Sequence, residues 1–359
     1  MSDSSRERYF DNAATTPIDP RVLAEMLPYL ESDFGNANSI HSLGRKARGA
    51  VEQARARLAS LLGCSPDEVT FTSGATEANN WVIQSFQSGA VGPIEHSSIY
   101  GPAMALGFSF LSNFGYEIEP PIEDVELVSL MQVNNETGAV LTMPELSKTN
   151  PPRVHRDVTQ ALGKVAFDLE GINYASMSSH KLYGPKGAGA LYIKNAEQLE
   201  PLIYGGEQEH GLRSGTLNVP GIVGFGAACE IARDQFEADR EHASSLRNIV
   251  LESLSKVPDW RENCYETNSP FVLSVSFFGI EGESLVVQSD LKGYAISSGP
   301  ACSSGSNEPS RILTALGLEP EWVRGTVRLS FSRWNTADSA RALGLVLSES
   351  VTKLRALGN

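Results

Sequence analysis

Over its first two thirds the chain alternates short strand-like runs with longer helix-like runs, and this alternation restricts the fold more than any other property. Val69-Thr70-Phe71-Thr72 follows a helix-type stretch at 43–62 and precedes a second helix start at Ser73-Gly74-Ala75-Thr76-Glu77. Further strand candidates lie at 125–133, 153–158, 174–178 and 188–193. Such spacing produces βα units, which bury a mostly parallel sheet between helices. Ser65 and Glu68 have the spacing of a capping box and predict a single turn before Val69. An amphipathic stretch from about 219 to 256 reads as one bent or interrupted helix joining two parts, and the domain boundary is placed there. Beyond it, 272–278, 283–289 and 294–297 read as strand, helix, strand. A strand at 327–332 and a last helix from about 336 to 357 complete a smaller α+β unit.

The length of 359 residues agrees with two cores rather than one. Hydrophobic residues at 41% and charged residues at 20% exclude a disordered chain. The excess of 43 acidic over 29 basic residues gives a net charge of −14, which repels a phosphate backbone, so no direct nucleic-acid partner is expected. Cysteines stand at 64, 229, 264 and 302 with no C-x-x-C and no Cys/His spacing able to close a tetrahedral site, so no metal is expected. The opening MSDSSRERY lacks the apolar stretch of a secretory signal, and no apolar run approaches the roughly 20 residues that span a bilayer. The expectation is a cytoplasmic protein with reduced thiols and no membrane contact.

Two segments carry chemistry. Thr72-Ser73-Gly74-Ala75-Thr76 combines a glycine, free N–H groups at a helix start and hydroxyls, which suits a phosphate, although an ordinary capped helix has the same residues. No G-x-x-x-x-G-K-[ST] is present, and Gly224-Phe225-Gly226 falls inside a helical pattern, so nucleotide fingerprints fail. In Ser178-Ser179-His180-Lys181-Leu182-Tyr183-Gly184-Pro185-Lys186-Gly187 a lysine stands at a strand end beside hydroxyls and a histidine. Most lysines are solvated surface charges; one in that setting can form an imine with a carbonyl cofactor. Asp157, at the end of an earlier strand and followed by Gln160, is either a helix cap or the partner of a pyridinium nitrogen.

Through these segments the chain resembles the cysteine desulfurases, the NifS/IscS-like branch of the class V aminotransferases. The resemblance runs in order through YFDNAATTP at 9–17, GNANSIH at 35–41, FTSGATE at 71–77, Glu95-His96, VNNETG at 133–138 and DVTQALGK at 157–164. It continues through 178–187, RSGTL at 213–217, SSGPACSSGSNEPS at 297–310 and VRLSFSRWNT at 327–336. It implies the type I fold of pyridoxal 5′-phosphate (PLP) enzymes. A large domain at 14–238 would hold a mostly parallel seven-stranded sheet, and a small α+β domain at 1–13 and 239–359 would carry the catalytic cysteine loop.

The resemblance also implies roles. Lys181 would bond covalently to PLP, Asp157 would pair with the pyridine nitrogen, His96 would stack on the ring and Gln160 would reach its phenolic oxygen. Ala75, Thr76, Ser178 and His180 would hold the phosphate, joined by Thr216 from the other subunit of a homodimer. Asn135 would lie beside cofactor and substrate, Arg328 would bind the carboxylate of L-cysteine, and Cys302 would accept the sulfur and pass it to an acceptor protein in iron–sulfur cluster assembly or thiolation. A planar arginine fork suits a carboxylate, and Cys302 in its Ser/Gly-rich setting differs from a core thiol. Cys64, Cys229 and Cys264 read as packing or incidental residues, and His41, His155, His210 and His242 as structural ones.

The chain departs from the family between His96 and Asn134, which is shorter than usual, and at Pro300, which stiffens the approach to Cys302 and restricts Gly299. A selenocysteine lyase or other PLP-dependent C–S lyase would use the same lysine, aspartate and arginine, and the Cys302 loop favours the desulfurase. A degenerate, non-enzymatic subunit would lack Lys181 or Cys302, and both are present. A dehydrogenase would need the glycine fingerprint that is missing.

Overall fold

The computed structural model describes residues 3–111, 113–114, 117–118, 124–144, 146, 150–194, 199–298 and 310–358. Helices α1 (Asp3–Glu7), α2 (Pro20–Glu31) and α3 (Ser42–Leu62) precede the first strand. The large unit then contains β1 (Val69–Thr72), α4 (Ala75–Gln84), β2 (Gly89–Val91), α5 (Ser97–Leu106), β3 (Ser109–Phe110) and a small hairpin of β4 (Asn113–Phe114) and β5 (Glu117–Ile118). It continues with β6 (Leu127–Met131), β7 (Arg153–Asp157), β8 (Tyr174–Ser178) and β9 (Gly189–Ile193). The helix α6 (Val219–Leu254) leads to β10 (Trp260–Glu262), β11 (Val272–Phe277), α7 (Gly282–Leu291), α8 (Arg311–Ala315), α9 (Pro320–Arg324), β12 (Thr326–Ser330) and α10 (Ala337–Gly358).

Seven strands form one sheet in the order β1-β9-β8-β7-β6-β2-β3. The pairs from β8 through β7, β6 and β2 to β3 are parallel, whereas β9 runs antiparallel to both neighbours. The sheet is therefore mostly parallel, as expected. Along β8 and β9 the side chains alternate between two cores: Ala175, Met177, Ala190 and Tyr192 pack with α3 and α6, while Tyr174, Leu191 and Ile193 pack with α4 and α5. Helices on both faces leave these strands buried at every position, so β9 reads as a continuous apolar run, while β8 also buries Ser176 and Ser178. A second core gathers Phe10, the later part of α6, β11, β12 and α10 around the three-stranded sheet β10-β11-β12.

Most expected elements form near their expected places, and Glu68 accepts a hydrogen bond from the Ser65 N–H at 2.9 Å, which closes the anticipated turn. Two expectations need correction. The stretch at 219–256 forms one uninterrupted 36-residue helix, Val219–Leu254. Its only proline, Pro220, stands in the first turn, where no helical bond is lost. Gly224 and Gly226 leave no room for a Cβ against Met26 of α2 and Ala54 of α3, so the early part of α6 lies tight on the large unit while Ala243, Leu246, Val250 and Leu254 enter the second core. The expected strand at 294–297 is also absent. Ala295 bridges to Tyr9 and Ser297 to Arg328, so the two residues pair with different segments and no continuous ladder forms.

One buried ion pair joins α3 to the sheet edge. Arg55 donates to both oxygens of Glu209 at 2.8 Å and to the carbonyl of Val69, and Glu209 also accepts from the Phe71 N–H at 2.7 Å. Both side chains are almost fully buried, at 4% and 1% exposure. Removing one partner of such a pair strands the other charge in a low-dielectric interior. Arg55→Met is accordingly expected to destabilise the protein by about 3 kcal/mol in urea unfolding, and Glu209→Gln added to it should restore a large part of that loss.

Candidate active site

The C-terminal ends of β6, β7 and β8 finish at Met131, Asp157 and Ser178, and the loops beyond them border one deep cavity. In open α/β sheets this edge is where ligands bind. Ala75, Thr76, His96, Asn135, Asp157, Gln160, Ser178, His180, Lys181 and Arg328 all line the cavity. Thr216 does not line it and is exposed. Cys302, with Gly299 and Pro300, lies outside the described residues.

The lysine is held by the chain's N-terminal segment. Lys181 Nζ donates to the carbonyls of Ala13 and Ala14 at 2.7 and 2.6 Å, and Gln160 Nε2 shares the Ala13 carbonyl at 2.9 Å. Thr16 Oγ1 donates to the His180 carbonyl at 2.9 Å and accepts from the Tyr183 N–H at 2.8 Å. Asp157 is fixed through both oxygens, one accepting from the Thr159 N–H at 2.9 Å and the other from Asn79 Nδ2 at 2.8 Å. His96 begins α5, its Nδ1 accepting from the Ser98 N–H at 3.2 Å. Burial pushes its imidazole below the ordinary histidine range, so the ring is neutral at neutral pH. Burial likewise lowers His180 to about 4, with Lys181 and Lys186 adding to the effect.

Opposite the sheet, Arg328 of β12 is 2% exposed. Its Nη1 donates to the Asn135 carbonyl at 2.9 Å and its Nη2 pairs with Asp11 at 2.8 Å. Its Nε and the side-chain oxygen of Asn135 are buried without a protein partner. Arg333, beyond the end of β12, turns elsewhere, to Asp19 and Asp239.

The residues present fit PLP. At one end Ser73, Gly74, Ala75 and Thr76 open α4 beside Ser178, His180 and Lys186. The acid nearest that end, Glu77, is taken up by Arg213 at 2.7 Å, which leaves the helix start suited to an anion. A Cβ on Gly189 would collide with Gly74, so only glycine lets β9 approach the cradle so closely. Elsewhere in the same cavity Asp157 provides an anion for a cationic ring nitrogen, and the unpartnered Asn135 and Arg328 atoms await polar groups of a ligand.

Sequence reasoning passed over several groups here. Asn79, which orients Asp157, is a buried amide one turn after Ala75 on the inner side of α4 and could have been found from that spacing. Ser310 donates to Glu136 at 2.6 Å, while Arg311 donates to the carbonyls of Pro93 and Glu95 and lies 3.8 Å above the Tyr100 ring. Nothing local in the sequence signals those contacts. Two of the histidines set aside as structural are hydrogen-bonded: His155 lies between Ser129 and Ser176 at 2.8 Å each, and His242 meets the Asn335 carbonyl at 2.8 Å.

This architecture and cavity define a PLP enzyme of fold type I. The sequence profile of class V aminotransferases matches residues 8–106 and 116–343. A cysteine desulfurase IscS of Archaeoglobus fulgidus is 38% identical over 97% of this chain and 98% of that protein. One from Neisseria meningitidis is 39% identical over 97% of this chain and 93% of its own length. Among solved structures, a NifS-like protein superposes with a TM-score of 0.88 at 33% identity, covering 97% of this chain and 100% of that one. A structure titled SspA in complex with cysteine gives 0.75 at 30% identity, over 92% of this chain and 100% of that one. The chain belongs to the class V aminotransferase family and, within it, to the cysteine desulfurases.

Glu95 gives the site a pH signature. It is fully buried, accepts from the Met131 N–H at 2.6 Å through one oxygen and leaves the other unpartnered. Burial pushes its carboxyl up to about 8; the Met131 hydrogen bond opposes this and the nearby Asp157 adds to it, while Arg156 and Arg311 oppose it. A raised carboxyl contributes stability that is whole below the unfolded value near 4.5 and is lost as pH climbs toward 8. Glu95→Gln removes that loss, so the variant should be more stable than wild type by about 2–4 kcal/mol at pH 8.5 and equal to it near pH 4.5, read from urea unfolding at the two pH values.

Proposed function

We infer that the chain converts L-cysteine to L-alanine, with sulfur passing through a persulfide on Cys302 to an acceptor protein of iron–sulfur cluster assembly or thiolation. The observation that carries this reading is the one cavity that gathers Lys181, Asp157, His96 and Arg328 from segments far apart in the chain. Full-length similarity to cysteine desulfurases, and to a protein solved with cysteine, supports the substrate.

Bound in the cavity, PLP supplies an electron sink for the carbanion formed at the substrate Cα. Ala75, Thr76, Ser178 and His180 would hold its phosphate, and Asp157, fixed in place by two donors, would hold the proton-bearing ring nitrogen. Neutral His96 would stack on the ring and Gln160 would donate to the phenolic oxygen. Arg328 would bind the substrate carboxylate beside Asn135, using the buried Nε that lacks a protein partner. Lys181 Nζ would carry the cofactor and then take and return the proton at the substrate Cα. The Cys302 thiolate would attack the substrate sulfur: the S–S bond forms as the Cβ–S bond breaks, the electron pair and a proton end on Cβ, and alanine leaves. No outside oxidant is required.

The proposed division places residues 14–238 in the large domain and 1–13 with 239–359 in the small one, the boundary falling inside α6. Its two cores support that division. A homodimer is proposed as well. Leu27, Leu30, Phe34 and Ile40 expose a run of apolar surface, Ile40 by 88%, and exposed Thr216 would reach a neighbour's phosphate site rather than its own.

Given L-cysteine and a thiol reductant, the purified protein should form alanine and sulfide in parallel. Lys181→Ala is expected to lower both about a thousandfold. Cys302→Ser should stay yellow yet release almost no sulfide, and mass spectrometry after one turnover without reductant should find the persulfide on Cys302. Full turnover by Cys302→Ser would identify a direct C–S lyase instead. For the assembly, sedimentation should show a dimer and Thr216→Ala should weaken PLP binding roughly tenfold, about the cost of one charged hydrogen bond. A fully active monomer would refute the shared site.

A further inference from the structure

Tyr183 lies two residues beyond Lys181 and adopts a left-handed backbone with φ of 63°, which no glycine relieves. Such a conformation is unfavourable for a non-glycine residue and persists only where the surroundings over-determine it. Its backbone is tied at both ends, the N–H to Thr16 Oγ1 at 2.8 Å and the carbonyl to the Asp19 N–H at 2.9 Å. The buried ring is held separately. The Arg333 guanidinium lies 4.2 Å from its centroid, Trp334 meets it edge-on at 4.8 Å, and the Arg333 N–H donates to its hydroxyl at 3.4 Å.

Arg333 is itself clamped. Its two terminal nitrogens pair with Asp19 at 3.0 Å and Asp239 at 2.6 Å, carboxylates that are 3% and 10% exposed. Asp19 caps α2 and continues the segment that receives Lys181 Nζ, and Asp239 belongs to α6. Arg333 thus joins the element after β12, α6, the start of α2 and the lysine loop, although neither it nor Tyr183 lines the cavity. An anchor serving only the carboxylates would not need to stack on the ring. The planar face of arginine provides both contacts, which a lysine ammonium cannot.

We propose that Arg333 is a positioning residue for the reaction: by clamping the Tyr183 ring it holds Lys181 Nζ in register for proton transfer at the substrate. The proposal rests on Lys181 being the catalytic lysine. It concerns the register of the lysine, so kcat should respond while cysteine binding, assigned to Arg328, should not.

The test uses Arg333→Lys, which keeps the charge without the planar face, Tyr183→Leu, which removes the aromatic ring, and the double variant. Each single variant is expected to lower kcat for alanine formation about tenfold with KM for L-cysteine within about twofold. The double should fall no further than the weaker single, because both remove one coupling. Tyr183→Phe, which retains the ring, should recover most of the kcat that Tyr183→Leu loses. In cofactor-free protein, amide hydrogen exchange should rise in the peptide covering 179–184 in Arg333→Lys and Tyr183→Leu and stay unchanged in α10. Losses in kcat that multiply in the double, a raised KM at unchanged kcat, or faster exchange throughout the chain would overturn the proposal. A wild-type protein that forms no alanine would instead refute the function, and the exchange measurement would still decide the Arg333 clamp.

Discussion

Everything at the site depends on the pairing of segment 13–19 with residues 180–183. Thr16 alone makes three hydrogen bonds there: its N–H and hydroxyl both donate to the His180 carbonyl, and its oxygen accepts from Tyr183. The Ala13 and Ala14 carbonyls accept from Lys181 Nζ, so the lysine loop is tied to the N-terminal segment through side chain and backbone alike. The same N-terminal segment is stitched to the second core, since Asn12 Nδ2 donates to the Ser330 carbonyl, the Ala13 N–H to Ser330 Oγ, and Asp11 pairs with Arg328. A short stretch near the chain start therefore sets the distance between the lysine and the arginine facing it.

Burial sets the charge of individual groups in the cavity. Burial keeps His96 and His180 neutral and favours a protonated Glu95, so the ionised groups are concentrated on a few residues. Asp157 keeps its position through an amide and a backbone N–H instead of a cation that would neutralise it. Arg328 and the lysines at the opposite margins supply positive charge for anionic ligand groups. Inside a low-dielectric pocket such fixed groups act more strongly than they would in water.

The site also explains why one helix runs through both cores. The first part of α6 packs against α2 and α3 through small residues, and its later part carries Ala243, Leu246, Val250 and Leu254 into the second core. Asp239 falls between these parts and receives Arg333. A rigid helix of this length transmits the placement of one core to the other, so residues from β7, β8 and β12 face a common cavity.

Much of this was legible in the amino-acid order. The strands ending at Asp157 and Ser178, the helix opening at Ala75 and the hydroxyl-rich lysine segment follow from local rules of periodicity, capping and turn chemistry, which act over a few residues. The roles of Lys181, Asp157 and Arg328 came from the motif resemblance, and the fold brings all three to one cavity. The strand anticipated at 294–297 failed because its neighbours come from opposite ends of the chain, and the supposed break in α6 failed because two cores hold one helix. Contacts such as Asn79 to Asp157 and Arg55 to Glu209 join residues 78 and 154 positions apart. Residue type and local order determined which groups could do chemistry; only the tertiary structure decided which were buried, which were paired and therefore which were charged, because desolvation and ion pairing depend on neighbours that no local pattern names.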